Sequence, residues 1–216
     1  MDRTVKSRSY DATRRRAAAE ENRRRILRAA HELFLEHGYA RTSLATVAST
    51  AGVSNDLVYK AFGNKRQLVI EVMNFAVTGE VDSPKVLDQA GPQAVRAETD
   101  QRRQVEMFAA DIAGRISRVR PVDDVIRSAA AVDPELAERR ASMQQTRLAN
   151  LRAFVEWLAA NGPLRDGLTI DDATATVWSL AGPDMHRLMV DDLGWDHEHY
   201  RSWLHGTLEA ALLPPR

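Results

Sequence analysis

A glycine between two short helical patterns constrains the fold of this 216-residue chain more than any other feature. The glycine is Gly52, within the stretch TSLATVASTAGVSNDLVYKAF that runs from Thr42 to Phe62. A turn residue here must adopt a positive φ, which a Cβ atom penalises. Small or apolar residues occupy the inner faces of both patterns: Leu44, Val47, Ala48, Ala51, Val53, Val58 and Ala61. The stretch predicts a helix-turn-helix, whose second helix is shaped to enter a DNA major groove.

The composition favours an all-α protein. Aromatic residues make up 6% of the chain, Ala and Arg are frequent, and runs of β-branched residues are scarce. The absence of cysteine removes disulfides and thiolate metal sites, as is usual for a cytoplasmic protein. No apolar run approaches the ~20 residues needed to cross a bilayer. The arginine-rich start has no apolar segment of the kind that follows in a secretory signal. We therefore expect a cytoplasmic location and no membrane partner.

Charge is distributed unevenly along a chain whose formal net charge is zero. Residues 1–70 carry a net charge of +7, and residues 71–216 carry −7. A basic segment joined to an acidic one indicates that only the first meets a polyanion such as DNA. The alternative, that charged surfaces simply vary, is weakened by the helix-turn-helix in the same segment.

The first third of the sequence reads as a basic arm followed by a helical domain. Residues 1–18 are polar and without apolar periodicity, which predicts a disordered arm. Residues 19–79 are predicted to form the DNA-binding domain, with the helix-turn-helix at about residues 43–62. A first helix ends at Gly38, and Asn64 with Gln67 resembles a capping box that opens a fourth helix.

Residues 80–216 are predicted to form a helical domain that binds an effector and dimerises. Glycine and proline at residues 79–92 indicate a linker or a frayed segment. We expect the next helix to stop before Pro121, and another to start at Asp133-Pro134. The predicted helices cover about residues 93–119, 122–131, 133–160, 169–190 with a break at Gly182-Pro183, and 196–213.

The stretch from Ile26 to Val69 resembles the DNA-binding domain of the TetR family of bacterial transcriptional regulators, and the likeness covers roughly residues 20–79. The matching positions are Gly38-Tyr39, Thr42, Ala51-Gly52-Val53-Ser54, Tyr59, Phe62, Lys65 and Leu68. The segment from Gly182 to Leu204 is more loosely similar to the last helices of one branch of that family. The resemblance implies a homodimer with two DNA-reading heads and a cavity for a small-molecule effector in the helical body. Effector binding is then expected to change the spacing of the heads and release the operator.

Two positions depart from the family pattern. Ala61 stands where the family often has a histidine that touches phosphate, and Asp56 stands where a small residue is common. A carboxylate near DNA repels phosphates, yet Asp56 can accept a hydrogen bond from a cytosine amino group. It can equally serve as an anion at the positive end of the helix dipole.

The candidate DNA-binding residues divide into phosphate and base contacts. Asn55 has the geometry for bidentate pairing with adenine, and Lys60 can reach guanine acceptors. Hydroxyl groups at helix starts, a tyrosine hydroxyl and a lysine are candidates for phosphate contacts: Thr42, Ser43, Ser54, Tyr59 and Lys65. The alternatives are capping alone for the hydroxyls, a core position for Tyr59 and ordinary surface lysines. Arg14–Arg16 with Arg23–Arg25 either lie along DNA or form a solvated tail.

The second domain offers candidates for an apolar effector site and for a dimer interface. Apolar side chains at helical spacing are predicted to line the site: Phe108, Ile112, Met143, Trp157 and Trp178. Core packing is the competing interpretation for each of them. The last two helices carry more apolar surface than peripheral helices need, which predicts a four-helix interface between two copies. Its candidate residues are Leu180, Leu188, Trp203, Leu204 and Leu208, with intrachain core as the alternative.

No catalytic or metal motif accompanies these features. His197 and His199 are two residues apart, so on a helix they point to different faces. The sequence has no phosphate-cradling glycine loop, nucleophile elbow or dinucleotide fingerprint, and no cofactor is expected. We interpret the protein as a ligand-responsive transcriptional regulator, a repressor that binds a palindromic operator as a dimer and is released by a small, largely apolar effector. The alternative is an all-helical small-molecule binding protein without sequence-specific DNA binding, for which Asp56 and Ala61 are the evidence.

Overall fold

The computed structural model of the chain describes residues 4–81 and 84–215, with only the backbone described for residues 4–13. Contacts divide the chain into two compact units, residues 1–75 with 79–82 and residues 76–78 with 83–216. No strand occurs in the described residues, which confirms the all-α fold class. No helix in this part of the chain is both long and apolar enough to cross a membrane.

The first unit consists of four helices. They are α1 (Thr4–Arg41), α2 (Leu44–Ala51), α3 (Asn55–Phe62) and α4 (Lys65–Thr78), of which the last three residues belong to the second unit. Gly38, with a φ of 73°, interrupts α1 near its end. The core combines residues from all four helices, including Ile26, Phe34, Val47, Val58, Leu68 and Val72, each with no exposed surface. Burial of this apolar surface stabilises α2, α3 and α4, which have 8, 8 and 14 residues and are marginal on their own.

The prediction of a disordered arm at residues 1–18 is wrong for residues 4–18, which are helical. Residues 1–3 lie outside the described residues. The helix extends this far because no Gly or Pro precedes Gly38, and because Ala and Arg propagate a helix well. Arg24 adds ion pairs to Glu20 at 3.0 Å and Glu21 at 2.8 Å, one turn earlier. Polar composition alone therefore does not distinguish a disordered segment from an exposed helix that continues a packed one.

The turn between α2 and α3 is closed by backbone hydrogen bonds around Gly52. Gly52 has a φ of 63° and donates its N–H to the carbonyl of Ser49 at 3.1 Å. Val53 donates to the carbonyl of Ala48 at 3.0 Å. These two bonds form a C-terminal cap of α2 in which Gly52 has the left-handed conformation. Ala48 is buried at this crossing, as its small side chain predicts. These bonds set the angle at which α3 leaves α2.

Arg25 of α1 holds the same turn from outside. Its guanidinium donates to the carbonyls of Ala51 at 2.5 Å and Gly52 at 3.3 Å. A Cβ atom on Gly52 would lie 2.7 Å from Nη2 of Arg25. Position 52 therefore requires glycine for two reasons, the positive φ and the approach of this side chain.

The second unit contains the remaining helices. They are α5 (Ala90–Ala97), α6 (Gln101–Ala130), α7 (Pro134–Ala160), α8 (Ile170–Leu180), α9 (Pro183–Arg187) and α10 (His197–Leu212), with a 3₁₀ turn at Val86–Asp88 and a π turn at Leu188–Asp192. A single core joins α5, α6, α7, α8 and α10, and its members include Phe108, Ile112, Phe154, Leu158, Val177, Tyr200 and Leu204. The predicted break at Gly182-Pro183 separates α8 from α9.

Two predicted boundaries around α6 are wrong. The expected helix at 93–119 is two helices, because the carboxylate of Glu98 accepts the N–H groups of Thr99 and Asp100 and stops α5. Asp100 then caps α6 by accepting the N–H of Arg103 at 2.8 Å. At the other end, α6 continues through Pro121 to Ala130. Buried side chains on both sides of the proline, Val119, Val122 and Ile126, hold the helix together despite the lost backbone hydrogen bond.

The last turn of α4 belongs to the second unit because two arginines of α6 bind it. Arg115 donates to the carbonyl of Val77, and Arg118 donates to the carbonyl of Ala76 at 3.3 Å. Arg115 is buried and is held in turn by Asp111 at 3.2 Å. Guanidinium groups satisfy carbonyls that a helix end leaves without partners, and they interact favourably with its negative dipole end.

Replacement of Gly52 by alanine should destabilise the first unit. The left-handed φ costs about 1–2 kcal/mol for a residue with a Cβ, and Arg25 must also release the turn. Gly79→Ala is the matched control, since Gly79 is also a left-handed helix cap, with a φ of 81°, but has nothing within 4 Å of an added Cβ. Urea unfolding followed by circular dichroism should show a larger loss of stability for Gly52→Ala than for Gly79→Ala. Equal losses would show that the Arg25 contact contributes nothing.

Candidate nucleic-acid interface

Helix α3 has one face in the core and a polar face in solvent. Val58 and Phe62 are 0% and 4% exposed and fix the inner face against the other helices of the unit. The outer face presents Asn55, Asp56, Tyr59 and Lys60, all exposed. Tyr59 is 52% exposed, which excludes the core position considered for it. An aromatic side chain held in solvent beside an amide, a carboxylate and an ammonium group is an arrangement suited to binding rather than to packing.

Both helices of the motif begin with a serine cap. The hydroxyl of Ser43 accepts the N–H of Thr46 at 3.0 Å, and the hydroxyl of Ser54 accepts the N–H of Leu57 at 3.2 Å. Each serine is exposed, and the hydroxyl of Ser43 also shares a hydrogen bond with that of Thr46 at 2.8 Å. The positive ends of α2 and α3 therefore remain open to an anion such as phosphate.

Thr42 was predicted to contact phosphate, and the structure contradicts this. The side chain is 2% exposed, and its hydroxyl lies 3.1 Å from the carbonyl of Leu33 and 2.9 Å from that of Gly38. The single hydroxyl proton of Thr42 is shared between these two carbonyls, of which that of Gly38 lies at the helix break. Thr42 joins the end of α1 to the start of α2 and has no surface left for DNA.

Lys65 lies at the start of α4 and is also committed within the unit. Its ammonium group is 3.0 Å from the carbonyl of Tyr39 and 4.4 Å from the centre of the Tyr39 ring. Partial burial lowers its pKa from the ordinary value for lysine. A contact between Lys65 and a phosphate stays a prediction. The ammonium group that would make it is already held in place by Tyr39.

The arginines before the motif stabilise the unit instead of forming a free basic tail. Arg23 pairs with Glu71 at 2.9 Å and lies 4.7 Å from the centre of the Phe62 ring. Arg24 pairs with its own helix, and Arg25 binds the turn at Gly52. The suggestion that Arg23–Arg25 lie along DNA is therefore wrong for these three side chains. Arg14–Arg16 are exposed on α1, and their contact with DNA remains a prediction.

Asp56 occupies the first turn of α3 and is exposed. This position is favourable for an anion because the helix dipole is positive there. It also places the carboxylate between Asn55 and the exposed Tyr59, on the face that would meet base edges. Both roles considered for Asp56 remain compatible with its placement.

The predicted effector residues fall in different environments. Phe108 and Ile112 are 8% and 7% exposed, and Phe108 stacks on Phe154 with ring centres 3.7 Å apart, so both contribute to the core. Trp157 and Trp178 pack against that core and are partly exposed, with Arg96 and Arg147 over their rings. A cleft of about 520 Å³ lies elsewhere, between Arg102, Arg165, Glu209 and the C-terminal Leu213–Pro215. None of the predicted residues lines it.

The predicted dimer residues divide into buried and exposed groups. Leu204 and Leu208 have no exposed surface and pack in the core of their own unit, so their assignment to an interface is wrong. They occupy the face of α10 that packs against α6 and α8. Leu188 is 43% exposed, while Leu180 and Trp203 are partly exposed. Their role between two copies stays a prediction.

Two structural residues were missed by sequence reasoning, namely Arg25 at the turn and Arg147 in the second unit. Arg147 donates to the carbonyls of Trp178 and Ala181, and burial lowers its pKa to about 10. In the sequence, Arg25 is the last of three consecutive arginines, and Arg147 is one of several arginines in its helix. No local signal distinguishes them from the many exposed arginines of this chain, since their partners are distant carbonyl groups.

Together, the capped motif, the left-handed glycine and the outward polar face of α3 define a helix-turn-helix protein. The sequence profile of the family described as "Bacterial regulatory proteins, tetR family" matches residues 26–72. The transcriptional regulator TtgR of Pseudomonas putida is 43% identical over 56 residues, which are 26% of this chain and 27% of that protein. The chain thus aligns with about a quarter of the length of this curated relative.

Solved structures extend the likeness in fold over most of the chain. A TetR-family regulator from Mesorhizobium loti superposes with a TM-score of 0.68 at 20% identity and covers 89% of this chain and 95% of its own. NalD of Pseudomonas aeruginosa, the secondary repressor of the MexAB-OprM multidrug efflux pump, superposes with a TM-score of 0.67 at 23% identity. It covers 90% of this chain and 97% of its own. These matches confirm the resemblance to the TetR family, in sequence over residues 26–72 and in fold over most of the chain.

Replacement of Thr42 by valine should destabilise the first unit without changing DNA contacts. The nearly isosteric change removes the hydroxyl proton that the carbonyls of Leu33 and Gly38 share, at a cost of about 1–3 kcal/mol. Ser43→Ala is the control on the next residue, where loss of an exposed cap costs about 1 kcal/mol. Urea unfolding measures both losses, and DNA affinity is measured below the unfolding transition. A weaker affinity for Thr42→Val than for Ser43→Ala would restore Thr42 as a DNA contact.

Proposed function

We propose that this protein is a ligand-responsive transcriptional regulator that binds a palindromic operator through α3. The exposed polar face of α3 carries the proposal, because its inner face is anchored and its outer face has no packing role. The resemblance to the TetR family and the structural likeness to NalD, a repressor, support negative regulation. The proposed site of action is the cytoplasm, and the proposal includes no catalytic step.

The chemistry of the side chains on α3 suggests which of them contact bases and which contact phosphates. Asn55 offers one donor and one acceptor in the plane that matches adenine, and Lys60 offers a donor to guanine O6 and N7. The serine caps and the hydroxyl of Tyr59 suit phosphate oxygens on either side of the groove. With Ala61 in the place of a histidine, one phosphate contact is absent, so the remaining contacts carry more of the affinity.

Dimerisation is part of the proposal because one α3 reads only half a site. Two heads related by a twofold axis are required to match a palindrome, with half-sites about 34–36 Å apart or a multiple of that spacing. The exposed Leu188 and the partly exposed Leu180 and Trp203 are the proposed contacts between copies. Effector and DNA would then be linked, each weakening the other by the same factor.

Selection of binding sites from random duplex DNA tests the proposal as a whole. We expect enrichment of a palindrome with two half-sites, since two α3 helices bind symmetrically. Uniform binding of all duplexes, or no binding, would favour the alternative of a small-molecule binding protein that has lost sequence reading. That alternative is motivated by the carboxylate of Asp56 on the outward face of α3, which repels the phosphate backbone.

Asn55→Ala and Tyr59→Phe should weaken binding in different ways. Loss of a bidentate base contact costs about 1–3 kcal/mol and relaxes the preference at one base pair. Loss of a phosphate contact lowers affinity by a similar factor for every sequence, at about 0.5–1.5 kcal/mol. Fluorescence anisotropy with the selected site and its single-base variants separates the two effects. Lys85→Ala, an exposed lysine of the other unit, is the control. A Tyr59→Phe variant with altered base preference would contradict the assignment.

A further inference from the structure

A group of buried and partly buried polar side chains lies in the second unit, beside the core of apolar residues. We call it the Arg147 cluster, and it comprises Asp123, Arg140, Gln144, Arg147, His186 and Tyr200. These residues come from α6, α7, α9 and α10, and the C-terminal end of α8 borders them. Polar groups in a helical core require hydrogen-bond partners, because removing them from water is costly.

Arg147 is a cation without a carboxylate partner among the described residues. Its Nη2 donates to the carbonyls of Trp178 at 2.9 Å and Ala181 at 3.1 Å, and its guanidinium lies 4.0 Å from the centre of the Trp178 ring. Its Nε is buried and has no hydrogen-bond partner in this part of the chain. Burial lowers its pKa to about 10, which records how poorly the surroundings stabilise its charge.

The nearest buried carboxylate is already committed to another arginine. Asp123 is 6% exposed and pairs with Arg140 at 3.1 Å. The charge of Asp123 is thereby balanced by Arg140, and the positive charge of Arg147 is left over. A buried charge without a partner is strongly unfavourable, and a bound anion removes that cost.

Two neighbouring side chains also present atoms without partners. His186 is 4% exposed, and its Nδ1 has no hydrogen-bond partner among the described residues. Its ring packs edge-on against Tyr200 at 4.8 Å, so the imidazole is held in place. The buried Oε1 of Gln144 also has no partner there, and this oxygen is an acceptor. Since an imidazole nitrogen can carry a proton, Nδ1 of His186 adds a donor to the Nε of Arg147 for a ligand that accepts hydrogen bonds.

We propose that the Arg147 cluster binds a small organic carboxylate, which pairs with the guanidinium of Arg147 and accepts a hydrogen bond from Nδ1 of His186. The apolar part of the ligand packs against Trp178 and the half-buried Met143. Planar guanidinium groups favour carboxylates, which they bind with two parallel hydrogen bonds. This inference rests on the proposed function, because it identifies the bound carboxylate with the effector of the regulator.

This assignment changes the chemistry expected of the effector. Phe108 and Ile112 fill the core of the unit, whereas Arg147 and His186 each keep a buried nitrogen without a partner among the described residues. Binding sites are mostly apolar, with a few polar groups that fix orientation. Here the polar end selects an anion, so the effector is an amphipathic acid instead of a largely apolar molecule.

The test compares carboxylates with their uncharged amides on the full chain without DNA. The probes are acetate, butyrate and benzoate, each paired with acetamide, butyramide or benzamide. We expect at least one acid to raise Tm by about 2–4 °C above its amide, the shift expected for binding to a chain of this size. Isothermal titration then gives the Kd. No difference between any acid and its amide would overturn the proposal.

Variants assign the effect to the cluster. Arg147→Met should abolish the acid-specific shift, measured from the variant's own Tm. Arg152→Met is the matched control, because Arg152 lies on the same helix and forms exposed ion pairs with Glu156 and Asp171. His186→Phe keeps the packing on Tyr200, removes Nδ1, and should weaken binding about tenfold, which keeps the test decisive if Arg147→Met does not fold. An unchanged shift in Arg147→Met or His186→Phe would overturn the proposal. The comparison of acids with amides uses no DNA. A failure of the protein to bind an operator would therefore refute the proposed function without affecting the result for carboxylate binding.

Discussion

The contact between Arg25 and the turn at Gly52 is the interaction on which the DNA-binding unit depends. Gly52 has a left-handed φ of 63°. The guanidinium of Arg25 donates hydrogen bonds to the carbonyls of Ala51 and Gly52. These bonds connect α1 to the end of α2 and to the turn that leads into α3. Since α3 has only eight residues, its orientation derives from this turn and from two buried anchors rather than from intrinsic helix stability.

The same unit shows why arginine content is a poor guide to DNA contacts. Arg23, Arg24 and Arg25 precede the motif as a basic run, yet each binds a partner within the chain. On α3, the exposed side chains are either uncharged or carry isolated charges, chiefly Asn55, Tyr59 and Lys60. Affinity would therefore depend on helix N-termini, hydroxyls and base contacts more than on a dense cationic surface.

Features that depend on local sequence patterns could be predicted from the sequence. The hinge at Gly52, the cap at Ser54 and the all-α class follow from spacing and φ preference. Long-range partners were not predictable: Thr42 binds two carbonyls of α1, and Leu204 and Leu208 face a core whose position depends on how α10 packs. The helix through Pro121 was missed for a similar reason, because tertiary burial overrides a local breaker.

The outward face of α3 is the central claim, and photocross-linking tests it most directly. A duplex carrying the selected site, with 5-iodouracil replacing thymine at successive positions, is irradiated in complex with the protein, and the linked peptide is identified by mass spectrometry. The account predicts cross-links to the peptide that contains Asn55, Tyr59 and Lys60, from bases in both half-sites. Cross-links confined to residues 84–215, with none to α3, would contradict it.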